Sequence, residues 1–229
     1  MSGIKPAPRS LAFIHTVAAL VPVFGDLAAR HLEGWAPFNI VDESLLRATI
    51  REGSLSQLTM RRLAGYVWSA VDAGAQAVIV TCSSLGPAVD AVLPLCPVPL
   101  FRIDDGMALA ALGMGRRIGV LATLPTTLGP TTELLTRRAE EAGKPVTVIS
   151  HLCEGAFARL AAGDSAGHDA LVVAGLREIG PQVDVIVLAQ ASMAGALERA
   201  GGGDVAIPIL TSPELGIRHV AQMLGPHLS

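Results

Sequence analysis

The sequence repeats itself across its midpoint. GAQAVIVTCSSLG at residues 74–86 is matched by QVDVIVLAQASMAG at 182–195, about 108 residues on. PVPLFRID at 97–104 is matched by VAIPILTSP at 205–213 at the same offset, and LAFIHTV at 11–17 by RIGVLAT at 117–123, about 106 residues on. One such pair among Ala-, Val- and Ile-rich segments could arise by chance. Three pairs in one order, at a near-constant offset, make duplication the better reading. The matched segments carry continuous apolar runs such as VIV and VIVL, the pattern of parallel strands covered on both faces.

Between these runs lie Ala/Leu-rich stretches with helical spacing. Strands are predicted at Leu11–Val17, Phe38–Asp42, Ala77–Thr81 and Val98–Ile103. After the restart they are predicted at Arg117–Ala122, Val146–His151, Val183–Ala189 and Ala206–Leu210. Helices are expected near Phe24–Leu32, over Ser56–Ala73, from Pro87, and over Thr131–Ala142, Gly155–Gly163, His168–Ile179 and Glu214–Leu224. Strands alternating with helices specify an α/β fold with parallel sheets. The expected architecture is two pseudo-symmetric lobes, each a parallel four-stranded sheet flanked by helices. The lobes are set at 1–107 and 108–229, with the helix at 214–224 free to pack back on the first.

Composition narrows the function. Of 229 residues, 51% are hydrophobic and 16% charged, the reverse of a disordered chain. The longest apolar stretch, Leu11 to Gly25, carries His15 and Pro22 and is too short to span a bilayer. No membrane association is expected, and MSGIKPAPRS does not read as a secretory leader. A net charge of -3, 3% aromatics and no basic run exclude a typical nucleic-acid binder. Three widely spaced cysteines suggest neither a disulfide framework nor a zinc site, and fit a reducing cytoplasm. The aliphatic surplus, beyond what two covered sheets need, predicts a homodimer or higher homo-oligomer.

The chemistry is sought at the strand ends, because ligands of open α/β sheets sit outside the carboxyl ends of the strands. The strand at Ala77–Thr81 runs into Cys82, Ser83 and Ser84. Amide N–H groups of a following helix favour anions there and would lower the thiol pKa. Cys82 could equally be a packed cysteine followed by capping serines. The matching end in the second half is Ala189, Gln190, Ala191 and Ser192.

At these residues the chain resembles the aspartate/glutamate racemase superfamily, with its hydantoin racemase, maleate isomerase and arylmalonate decarboxylase relatives. VIVTCSS, RIGVLATLPTT and DVIVLAQASM carry the resemblance, which extends over nearly the whole chain. It implies a cleft between the lobes, no cofactor (pyridoxal phosphate included) and no metal. In the family's racemases, paired cysteines at the two strand ends exchange protons with a carbon next to a carboxylate. Cys82 falls on the first of these cysteines, and Gln190 stands where the second would be. Glutamine can only hydrogen-bond, so one-thiol decarboxylase, lyase or isomerase chemistry is expected over two-thiol racemisation. If His15 supplies the second proton, racemisation survives.

The candidate site is therefore Cys82, Gln190 and His15 for catalysis. Ser83, Ser84, Thr123, Thr126, Thr127, Ala191 and Ser192 are the candidates for holding a small carboxylate. Asp42 and Glu43 are read as bracing or capping, and Cys96 and Cys153 as packed. The scarcity of rings suggests a compact, polar substrate. Two other functions stay open: a non-catalytic carboxylate-binding protein, and a cysteine hydrolase pairing Cys82 with His151 or His15.

Overall fold

The computed structural model describes residues 7–199 and 206–225. Residues 1–6 of the MSGIKPAPRS segment and Val205 of the VAIPILTSP repeat lie outside that range. The first lobe runs β1 (Arg9–His15), α1 (Val21–His31), β2 (Trp35–Val41), α2 (Glu43–Glu52), α3 (Gln57–Asp72), β3 (Ala77–Val80), α4 (Gly86–Val92) and β4 (Leu100–Arg102). Next come α5 (Asp105–Met114), β5 (Arg117–Ala122), α6 (Pro125–Glu141), β6 (Thr147–Leu152), α7 (Ala156–Ala161) and α8 (Ser165–Ile179). The chain ends with β7 (Val185–Leu188), α9 (Ala194–Arg199), β8 (Ile209–Thr211) and α10 (Ser212–Leu224). The strands form two four-stranded sheets, ordered β2-β1-β3-β4 and β6-β5-β7-β8, and every pairing is parallel. The two orders are the same permutation, as the sequence repeat requires.

Side-chain alternation explains why the central strands lack polar residues. In β1 and β3, Ala12, Ile14, Val78 and Val80 enter one core, while Leu11, Phe13, Ala77 and Ile79 enter the other. In β7, Val185 and Val187 face one core, and Ile186 and Leu188 the opposite one. Both faces of these central strands are thus buried, and each buried Val, Ile, Leu or Phe contributes about 1.5–3 kcal/mol of transfer free energy.

The lobes exchange helices. Helix α5 follows β4 of the first sheet, yet its Met107, Ala108, Ala111 and Leu112 join the core of the second. Helix α10 follows β8 of the second sheet, yet Ile217 and Val220 join Leu11, Phe13 and Phe24 on the first. Residue 107 accordingly falls inside α5. The exchange brings α5 and α10 into close contact, and two glycines make room for it. A Cβ on Gly106 would strike the Leu215 carbonyl, and one on Gly216 the Ile103 carbonyl. Arg102, buried in β4, pairs with Asp104 and with Asp90 of α4, and Asp90 also takes Arg137 of α6. Arg138 of α6 pairs with Asp105.

Three helices, α2, α5 and α9, are absent from the sequence reading. Helix α2 is capped by Asp42, whose carboxylate accepts the Ser44 N–H at 2.9 Å. Helix α5 carries apolar residues all round, including the exposed Leu109 and Met114, so it shows no amphipathic period. Helix α6 starts at Pro125, six residues before the expected Thr131, and runs through Pro130. A proline so near the start removes only one intrahelical bond, to the Thr126 carbonyl. The final strand is shorter than expected, Ile209–Thr211. No helix among the described residues is long and apolar enough to cross a membrane.

Candidate active site

Cys82 and Gln190 each stand just beyond the carboxyl end of a central strand, at the start of a single 3-10 turn (Ser83–Leu85 and Ala191–Met193). Both line one cavity of about 200 Å³. Its polar lining is Thr16, Thr81, Ser83, Ser84, Thr127 and Ser192; Ala189 and Ala191 complete the strand-end wall. The cavity is small beside the roughly 300–1,000 Å³ of a drug-sized site.

The backbone register brings out a symmetry that the sequence alignment misses by one residue. The Thr81 N–H donates to the Ile14 carbonyl, and the Ala189 N–H to the Leu121 carbonyl. Thr16 is thereby equivalent to Thr123, one residue from the pairing suggested by LAFIHTV and RIGVLAT. The two threonines do matching work. The Thr16 hydroxyl hydrogen-bonds the Cys82 sulfur. The Thr123 N–H donates to Gln190 Oε1 at 2.6 Å and its hydroxyl donates to the same oxygen at 3.0 Å. With Oε1 doubly engaged, the Gln190 amide Nε2 is the end left to donate into the cavity.

The surroundings of Cys82 do not produce the thiolate expected from sequence. Burial pushes the thiol above its ordinary value. Hydrogen bonds from the Thr16 hydroxyl, the Leu85 and Ser84 N–H groups and the Ser84 hydroxyl oppose this without cancelling it. A three-residue turn supplies too little dipole to offset the desolvation. The resting group is therefore a thiol, a proton donor. Ser84 Oγ also lies 2.7 Å from Thr127 Oγ1. When Ser84 donates to sulfur, Thr127 donates to Ser84, and a chain of hydroxyls runs from the second lobe to the thiol of the first.

His15 is not where the sequence reading put it. It is wholly buried in the sheet, stacked against Phe13 and Phe24, and does not line the cavity. Nδ1 lies 2.9 Å from Thr81 Oγ1 and Nε2 2.9 Å from Asn39 Oδ1. A neutral ring protonated at Nε2 satisfies both contacts, donating to Asn39 and accepting from Thr81. Burial, which outweighs the bond to Asn39, lowers the His15 pKa and favours that neutral form. Position 15 points inward by the same strand alternation that buries Leu11 and Phe13.

Other candidates also fall away from the cavity. Thr126 does not line it; its hydroxyl is buried in α6 without a hydrogen-bond partner. Thr123 acts behind Gln190. His151 lies beside Glu178, 3.5 Å away, and Cys153 is buried, its thiol pushed up to about 11 by desolvation and by Glu178. Neither lines the cavity. Among the described residues, no three His, Cys, Asp or Glu side chains gather as a metal-binding group.

The rest of the wall is apolar: Val17 and Leu20 after β1, Leu46 of α2, Leu124 before α6, and Phe157 and Leu160 of α7. Phe157 is the one ring among these residues, and the apolar wall sits against the expectation of a compact, polar substrate. Thr16, Thr81, Val17, Leu20, Leu46 and Leu160 were missed by sequence reasoning. Thr16 could have been found through its symmetry with Thr123; the apolar residues are indistinguishable in sequence from core.

The family model for Asp/Glu/hydantoin racemases matches residues 14–220. The chain belongs to the Asp/Glu/hydantoin racemase family. Solved structures agree on the fold. Glutamate racemase from Francisella tularensis, in complex with D-glutamate, superposes with a TM-score of 0.74 at 14% identity, covering 96% of this chain and 81% of that one. Glutamate racemase from Thermus thermophilus, in complex with β-chloro-D-alanine, gives 0.71 at 18%, covering 96% and 82%. Allantoin racemase from Pseudomonas fluorescens gives 0.60 at 17%, covering 94% and 90%. No curated protein matches the chain significantly. The chain is thus an enzyme of a racemase family.

Proposed function

We propose that this enzyme delivers a proton from the Cys82 thiol to one face of a carbanion next to a carboxylate, without a cofactor. The observation that carries the reading is the pairing of Cys82 with Gln190 in one cavity. A racemase needs a base on one face and an acid on the other, and Gln190 can be neither. One thiol suffices when the carbanion arises by loss of carbon dioxide. The C–C bond breaks, its electron pair stays on carbon as an enediolate, and the thiol proton goes to that carbon. The resulting thiolate is reprotonated by water. Hydroxyls of Ser83 and Ser192 and the Gln190 amide would hold carboxylate oxygens and stabilise the enediolate, while the Thr127–Ser84 chain donates to the sulfur. A resting thiol, kept protonated by burial, suits a donor better than a base.

The hydrolase reading loses support because neither His15 nor His151 lines the cavity. Carbon dioxide release from a panel of 2-substituted malonates tests the proposal. Wild type should turn over at least one member and Cys82→Ala none. Turnover unchanged in Cys82→Ala would reject it, and tight binding without turnover would favour a carboxylate-binding protein. We further propose a cytoplasmic homo-oligomer, in keeping with three free cysteines and exposed Leu58, Trp68, Leu93 and Leu95 on the first lobe. A monomer by light scattering at micromolar concentration would contradict that.

A further inference from the structure

We infer that the substrate carries a neutral aliphatic substituent of a few carbons on its reacting carbon, and neither an ammonium group nor a second charge at its far end. The inference rests on the proposed use of the Cys82 cavity and goes on to name what that cavity accepts. Among the described residues, no Asp, Glu, Lys, Arg or His lines it. Its polar groups are all neutral, and they come from the strand ends around Cys82 and Gln190. An ammonium or distal carboxylate bound there would be a desolvated charge with no counter-charge, which is strongly unfavourable.

The remaining wall fits the opposite kind of group. Val17, Leu20, Leu46, Leu124, Phe157 and Leu160 come from flanking connections and helices of both lobes. Leu20, Leu46, Phe157 and Leu160 are each only partly buried without a ligand, so an apolar substituent would remove further apolar surface from water. The carboxylate faces hydroxyls and the Gln190 amide at one end, and the substituent faces leucine and phenylalanine at the other. The volume of about 200 Å³ limits that substituent to a short chain or small branch. This sets the site apart from one built for aspartate or glutamate.

Calorimetric titration of wild type with 2-methylbutanoate, 2-ethylbutanoate, D- and L-aspartate and D- and L-glutamate tests the inference without any turnover. The branched monocarboxylates should bind at least ten-fold more tightly than the amino acids. Phe157→Ala should weaken 2-ethylbutanoate more than acetate. Phe157→Arg should narrow or reverse the preference against glutamate, because it adds the missing counter-charge. Aspartate or glutamate binding as tightly as the branched acids in wild type would overturn the inference, as would failure of every branched acid to bind. Branched acids binding tightest while no 2-alkylmalonate is turned over would uphold the substituent class and reject the chemistry proposed for Cys82.

Discussion

Because α10 belongs to the core of the first lobe, damage near the end of the sequence should loosen its beginning. Ile217→Ala is the sharpest perturbation. Ile217 is fully buried in the cluster that holds Leu11, Phe13 and Phe24. The change removes three carbons, about 2.4 kcal/mol at roughly 0.8 kcal/mol each. The cavity left behind brings the expected range to about 2–5 kcal/mol. For a chain of this length each kcal/mol is worth about 2–4 °C, so a loss of about 3 kcal/mol lowers Tm by about 6–12 °C. Both tryptophans, Trp35 and Trp68, lie in the first lobe, and Trp35 packs against this same cluster. Tryptophan fluorescence should therefore follow the transition. Hydrogen exchange should show β1 and β3 losing protection before β5 and β7. Leu176→Ala in α8, whose side chain sits in the second lobe's core, should do the reverse. Loss of protection confined to β5 and β7 in Ile217→Ala would refute the helix exchange.

Four further outcomes are expected. Iodoacetamide should label Cys82 more slowly than a free thiol at neutral pH, because burial raises its pKa; turnover dependent on the thiol should hold through neutral pH and fall as pH rises through that raised value. Faster labelling than a free thiol would contradict this. Thr123→Val removes one of two bonds to Gln190 and should cut kcat/KM about 2- to 10-fold (about 0.5–1.5 kcal/mol) with the fold unchanged by circular dichroism. Gln190→Cys adds a thiol in the same cavity and should introduce racemisation of a single-enantiomer 2-alkyl acid; a folded variant with no exchange at that carbon would contradict the shared cavity. Asp184, held by the Arg117 and Arg116 N–H groups and the Arg117 side chain, has its carboxyl lowered from 3.8 to about 2. A lowered folded-state value gives stability present above 3.8 and lost as pH falls toward about 2; Asp184→Asn should remove that part of the acid dependence in urea unfolding.

The strands, their parallel pairing and the two-sheet plan were legible because doubly buried strands write themselves as unbroken Val/Ile runs. The internal repeat then gave the strand-end positions of Cys82 and Gln190. Helix α5 was illegible because even its exposed face is apolar, at Leu109 and Met114, and no polar face marks its period. His15 was misplaced for a related reason. A polar residue at a strand end reads as a site residue, and only the direction of the pleat shows it turned toward Phe24 and bonded to Asn39. The thiol's state depended on burial, which residue order does not give. The apolar half of the pocket was hidden most completely, since Leu46, Phe157 and Leu160 satisfy the pattern of core residues and differ only in what they face.

The central claim is that one thiol protonates one face. Its most direct test is decarboxylation of a prochiral 2-alkyl-2-methylmalonate in D₂O, with the product's configuration and deuterium content read by chiral chromatography and NMR. A single enantiomer is predicted, carrying one deuterium at the reacting carbon and keeping its configuration on prolonged incubation, with Cys82→Ala giving no product. A racemic product, or steady loss of configuration under wild-type enzyme, would mean that a second acid/base acts opposite Cys82, and would contradict the account.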